Sequence, residues 1–176
     1  MIEHEFAIGL VFGSTGREPV MPDVKPIPEN YPTVSPYLVI DGAGDAMDFY
    51  CSVLGATERM RMGRPDGRIG HAEVQLGDSV IMLSDEWPEG GYRGPKATGG
   101  TPVTILAYVA DVDEVFARAV AEGATEIEAV TNKFYGDRSG SFEDPWGHRW
   151  TVATHIEDVP EEELERRATE AMGQAS

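Results

Sequence analysis

His71 and Glu73 stand two residues apart in the stretch Arg-Ile-Gly-His-Ala-Glu-Val-Gln-Leu. Ala72, Val74 and Leu76 alternate with Ile69, His71, Glu73 and Gln75, and this period of two predicts a strand. Residues two apart on a strand share a face, so the imidazole and the carboxylate can touch. A carboxylate favours the protonated imidazole and can tune a general base. The same pair could also donate two ligands to a metal ion. The plain alternative is a hydrogen-bonded pair on a polar strand face. Other chemistry is sparse. There is no nucleophile elbow, no phosphate-binding glycine loop and no Cys-x-x-Cys pair. Cys51 is the only cysteine, which excludes an internal disulfide and predicts a buried thiol beside an apolar helix face.

The elements that must position this pair come as a repeat. Gly-Ala-Thr-Glu is written at Gly55–Glu58 and again at Gly123–Glu126. Each copy follows a segment of helical period. The first is Gly44–Leu54, with Met47, Tyr50, Val53 and Leu54 on one face. The second is Asp111–Glu122, with Val112, Val115, Phe116, Ala119 and Val120 inward. The glycine suits a helix end because it accepts the left-handed conformation. A strand precedes each helix, Thr33–Ile40 and Val103–Val109, and three strands follow each. The chain therefore reads as strand, helix and three strands, twice over. Module one is expected over 31–86, a turn-rich linker over 87–101, and module two over 102–157. Residues 1–30, rich in proline, read as an extension with at most a short strand. Residues 158–176 read as a helix and tail, with Asp158 and Glu161 at the spacing of a capping box.

Bulk composition narrows the function. With 41% hydrophobic and 26% charged residues the chain reads as globular. Its formal net charge of −17 argues against nucleic acid and anionic lipid as partners and tolerates cationic small molecules. No apolar run approaches a membrane span, and the first residues lack the pattern of a signal peptide, so a cytoplasmic location is expected.

The segments DAMDFYCSVLGA, YVADVDEVFARAVAEGA and FEDPWGHRWTV resemble the first helix, second helix and closing hairpin of the vicinal oxygen chelate superfamily. That superfamily includes glyoxalase I, extradiol dioxygenases, and the fosfomycin and bleomycin resistance proteins. RIGHAEVQLGDSVIMLSD and FYGDRSGSFEDPWGH look like a glyoxalase-like branch without an assigned reaction. The resemblance covers about Tyr31 to His155. It implies an α+β fold in which two consecutive βαβββ modules form a cupped, mostly antiparallel eight-stranded sheet with helices on its convex face. It also implies a homodimer. In metal-dependent members four His or Glu ligands line the cup, on the first and last strand of each module. Carried onto this chain by counting from the helix-end glycines and closing hairpins, those positions fall at Ser35, Met82, Thr104 and Thr151. Ser35 and Thr104 are as far apart as Met82 and Thr151, which supports the register. Neutral hydroxyls and a thioether are poor ligands for zinc, nickel, manganese or iron. No metal and no cofactor are expected at these places.

Alternation extends the cup lining to Tyr37, Val80, Leu106, Tyr108, Arg149 and Ala153, beside His71 and Glu73. Trp150 and Val152 should pack on helices. Trp87 and Tyr92 lie in the linker, where they could form a stacking lid or simply plug module one. Asp137 and Arg138 are expected to pair with each other, and Trp146 and His148 belong to a tight turn. His4 and His155 stand outside any constellation. The leading expectation is a metal-free binding protein similar in principle to bleomycin resistance proteins, sequestering an aromatic or cationic small molecule. The rival is a glyoxalase-like lyase or isomerase, or a dioxygenase-type enzyme, using a relocated metal or His71 as base. A scaffold whose cup is filled by its own side chains is the third.

Overall fold

The structure is a computed structural model that describes residues 24–174. The strand sought in the first residues, and His4, lie outside the described residues. Two units divide the chain, Met1–Asn30 and Tyr31–Ser176. Of the first, Lys25 and Glu29 form an ion pair four residues apart.

The second unit carries the repeat. β1 (Tyr37–Ile40), α1 (Ala43–Leu54), β2 (Thr57–Gly63), β3 (Ile69–Leu76) and β4 (Ser79–Asp85) make module one. β5 (Thr104–Tyr108), α3 (Val112–Ala121), β6 (Thr125–Asn132), β7 (Asp137–Glu143) and β8 (Arg149–His155) make module two. The eight strands form two four-stranded sheets, ordered β1-β4-β3-β2 and β5-β8-β7-β6. In each, the first strand pairs parallel with the last and the remaining pairs are antiparallel. The linker holds a 3-10 turn at Pro88–Gly90 and the short helix α2 (Pro95–Thr98), and α4 (Glu161–Gln174) closes the chain. Among the described residues no helix is long and apolar enough to cross a membrane.

The repeated tetrapeptide does one job twice. Gly55 and Gly123 adopt positive φ, 71° and 100°, which a side chain would resist. The following alanines return their N–H groups to Tyr50 and Ala119, and the threonines begin β2 and β6. The helix starts differ. Asp111 caps α3 by accepting from the Glu114 N–H at 3.0 Å. At α1 the orphan N–H groups of Gly42 and Ala43 donate to Asp85 Oδ1, at 2.9 and 3.0 Å, from the far end of β4.

One apolar core runs through both modules. Leu38, Ile40, Val74 and Leu83 from the first sheet pack with Met47, Tyr50 and Val53 of α1. Phe142, Trp150 and Val152 from the second join Val112, Phe116 and Ala119 of α3. The modules lock at Asp144, which is buried. Its Oδ2 accepts from Tyr50 Oη at 2.7 Å and Trp150 Nε1 at 3.1 Å, and its Oδ1 from the backbone of Trp146 and His148. Burial, and then the Asp144 carboxylate, push the Tyr50 phenol well above its ordinary range. Three expected placements differ. Cys51, expected to be buried, is only half-buried. Val120 is 42% exposed at the edge of α3, so the inward stripe ends at Ala119. Ile69, whose parity pointed it at the cup, is buried in the core beside Gly44, because a register shift between Met62 and Gly63 interrupts the ladder there.

Candidate functional site

The faces turned away from the apolar core carry the candidate residues. Register places Tyr37 beside Met82, Met82 beside Glu73, and Glu73 beside Met60, one row across the first sheet. The next row brings His71 beside Met62. His71 and Glu73 do interact, with Nε2 3.2 Å from Oε1. Tyr37 Oη lies 3.2 Å from His71 Nδ1, so the contacts run Tyr37–His71–Glu73. Glu73 is only 4% exposed. It accepts from Tyr31 Oη at 2.9 Å on both oxygens, and Arg59 Nε stands 3.7 Å away. The Arg59 guanidinium also lies 4.7 Å over the Tyr31 ring. The Glu73 hydrogen bond, foremost, raises the Tyr31 phenol above its ordinary value, with Arg59 opposing. Because Tyr31 donates to both Glu73 oxygens, the carboxylate acts as acceptor. In the neutral imidazole His71 Nε2 then donates to it and Nδ1 is left to accept from Tyr37. Around this polar chain Tyr37, Met60 and Met62 are exposed apolar groups.

The second sheet has a different face. Leu106 neighbours Thr151, and Thr151 neighbours Ser141, their hydroxyls 2.9 Å apart. Tyr108 donates to Asp137 Oδ2 at 2.8 Å, and His155 Nδ1 meets Asp137 Oδ1 at 2.7 Å. His155 Nε2 meets Asp158 at 3.0 Å. The Asp137 and Asp158 hydrogen bonds hold the His155 pKa above its ordinary value. His155 thus belongs to a constellation after all, and Asp158 is engaged with it ahead of α4. Asp137 does not pair with its neighbour. Arg138 points to the opposite side and binds Asp113 at the start of α3, at 2.6 and 2.7 Å. Strand alternation separates the two.

Of the expected lining, Tyr37, Thr104 and Arg149 border one recess of about 400 Å³, together with Pro36, Val103 and His148. Leu106 and Tyr108 border another of about 300 Å³, with Val34, Leu76 and Ile81. Both lie where β1 or the β3–β4 turn approaches β5. Ser35 precedes β1 and is half-buried, and Met82 is half-buried at mid-strand. Trp87 is half exposed, stacked on Tyr92 at 6.3 Å and 12° across a bridged turn, its ring resting on Gly90. It pairs within its own loop.

The four positions where the resemblance would put metal ligands do not fit an ion. Ser35 and Thr104 offer neutral hydroxyls, Met82 a thioether, and Thr151 a hydroxyl already bonded to Ser141. Among the described residues no three His, Cys, Asp or Glu side chains gather as a ligand set. Several contributors escaped the sequence reading. Tyr31 lies outside every periodic segment, so no pattern announces it. Met60 and Met62 carried a signal, since they alternate in Thr-Glu-Arg-Met-Arg-Met. His155 did too, two and four residues beyond Ala153 and Thr151 on one strand face.

Comparison with known proteins follows the same outline. An uncharacterised protein of Mycobacterium tuberculosis, Rv0887c, is 39% identical over 137 residues, covering 76% of this chain and 81% of that one. The solved structure of the Arabidopsis thaliana At5g48480 product is 27% identical with a TM-score of 0.58, covering 70% of this chain and 98% of that chain. TioX from Micromonospora sp. ML1 is 28% identical with a TM-score of 0.55 over the same shares. The family model described as Glyoxalase/Bleomycin resistance protein/Dioxygenase superfamily matches residues 34–152. The repeat of modules, the paired sheets and this match agree, and the chain belongs to the Glyoxalase/Bleomycin resistance protein/Dioxygenase superfamily.

Proposed function

We propose that the protein is a metal-free binder of a small aromatic molecule, neutral or cationic, and that it works as a cytoplasmic homodimer. The observation that carries this reading is the Tyr37–His71–Glu73 chain, anchored on buried Glu73 and flanked by exposed Met60 and Met62 on one sheet face. A few fixed polar groups within an apolar surface are what small-molecule recognition requires. Methionines supply adaptable contact to flat rings. The net charge of −17 disfavours anionic ligands. Exposed Leu106 and Tyr108 on the second sheet extend the apolar area, and a second copy of the chain is the partner that would cover it.

A thermal-shift screen of aromatic antibiotics and metabolites, on protein without a polyhistidine tag, tests the reading. A ligand at a hundredfold over its dissociation constant should stabilise by about 2.7 kcal/mol. Elemental analysis of the same sample should find no stoichiometric transition metal. Stoichiometric metal, or shifts only with anionic compounds, would overturn the proposal. Sedimentation should return a dimer.

A further inference from the structure

The order of burial along Tyr37–His71–Glu73 gives the site a direction. Glu73 is buried, the His71 side chain is 24% exposed and Tyr37 is 46% exposed. An inner carboxylate fixing an imidazole, whose other nitrogen faces an outer hydroxyl, is the arrangement that activates a hydroxyl. Glu73 is held in turn by Tyr31 and Arg59, so the imidazole has one orientation. In the neutral imidazole with Nε2–H directed at Glu73, Nδ1 is the acceptor for the Tyr37 proton.

We propose that Tyr37 is an acid–base group of this face, served by His71 and positioned by Glu73. Its substrate class is a neutral or cationic compound that presents an acidic X–H bond to the tyrosine oxygen. In the forward step the X–H proton moves to the Tyr37 oxygen while the Tyr37 hydroxyl proton moves to His71 Nδ1. The X–H electron pair stays on the compound, and the imidazolium formed is paired with Glu73. The reverse step returns both protons, so no co-reactant is consumed. Tyr37 touches the compound. His71 and Glu73 act through it, Glu73 as a positioning residue. The proposal rests on the same face being the ligand face, yet its test needs no natural ligand.

The test is covalent labelling of the full chain by aminoethylbenzenesulfonyl fluoride, an aromatic cation that reacts with activated phenols. The Tyr37 O–S bond forms, the S–F bond breaks, fluoride leaves and the phenol proton passes to His71. Tyr92 and Tyr135, 50% and 42% exposed, are internal references on the same molecule. Peptide mass spectrometry should find Tyr37 modified about ten-fold faster than either, a modest share of what a positioned base contributes. His71→Gln should bring Tyr37 to the reference rate. Glu73→Gln should lower the rate and change its pH profile, while leaving Tyr92 and Tyr135 unaffected. Equal rates at the three tyrosines in the wild type would overturn the proposal. So would a Tyr37 rate unchanged in a His71→Gln variant with wild-type circular dichroism. If a variant does not fold, the wild-type comparison decides alone. Failure here leaves the binder standing, and failure of the ligand screen leaves the labelling result intact.

Discussion

The two modules share one scaffold and differ on one side of it. On the core side the paired positions stay apolar or small. Leu38 answers to Ala107, Ala72 to Gly140, Val74 to Phe142, and Leu83 to Val152. On the open side they diverge. Where module one has Tyr37, His71, Glu73 and Met82, module two has Leu106, Ser139, Ser141 and Thr151. Packing at crystal-like density constrains volume on the core side. The open side answers only to what it touches. Module one built a buried carboxylate with an outward path, whereas module two kept a hydroxyl pair and placed its carboxylate, Asp137, at the strand end with Tyr108 and His155.

The comparison breaks most readily at the shared core. Trp150→Ala should cost about 4 kcal/mol in urea unfolding, since the side chain is fully buried and donates to Asp144. Its open-side neighbour Thr151→Ala should cost within about 1 kcal/mol. A smaller contrast separates the two open faces. Glu73→Ala should cost about 3 kcal/mol, because it takes the buried carboxylate away from the Tyr31 and His71 groups that face it. Ser141→Ala, at the matching place, should cost about 1 kcal/mol or less. Between modules, Tyr50→Phe removes one donor from Asp144 and should cost about 1.5 kcal/mol.

The least of these effects is local and depends on pH. His155 has a raised pKa in the folded chain, through Asp137 first and Asp158 second. Its contribution is fully present below the ordinary histidine value and is lost as pH rises through the raised one. Hydrogen exchange at Ile156 and Glu157, whose N–H groups bond Gly136 O, should therefore run faster than the intrinsic pH trend as pH rises past that value. His155→Gln should abolish the excess.

Most of the fold was legible because periodicity and helix-end glycines are local signals, and the duplication wrote them twice. The His71–Glu73 contact was legible for the same reason, since two residues on one strand need no tertiary knowledge. Tyr31 was not, because it reaches Glu73 from outside any regular element. The expected Asp137–Arg138 pair does not form because sequence neighbours on a strand point to opposite faces, and the Arg138 partner, Asp113, belongs to another element. His155 reads as an isolated histidine when taken alone, although strand parity puts it on the face of Thr151.

The central claim, that the open face of the first sheet receives the ligand, is tested most directly by methyl resonances of 13C-methionine protein. Met60, Met62 and Met82 lie on that face, Met47 is buried in the core, and Met172 sits on α4. Titration with a compound found by thermal shift should move the signals of Met60, Met62 and Met82 while those of Met47 and Met172 stay in place. Movement confined to Met172, or stabilisation that leaves the three open-face methyls unshifted, would contradict the account.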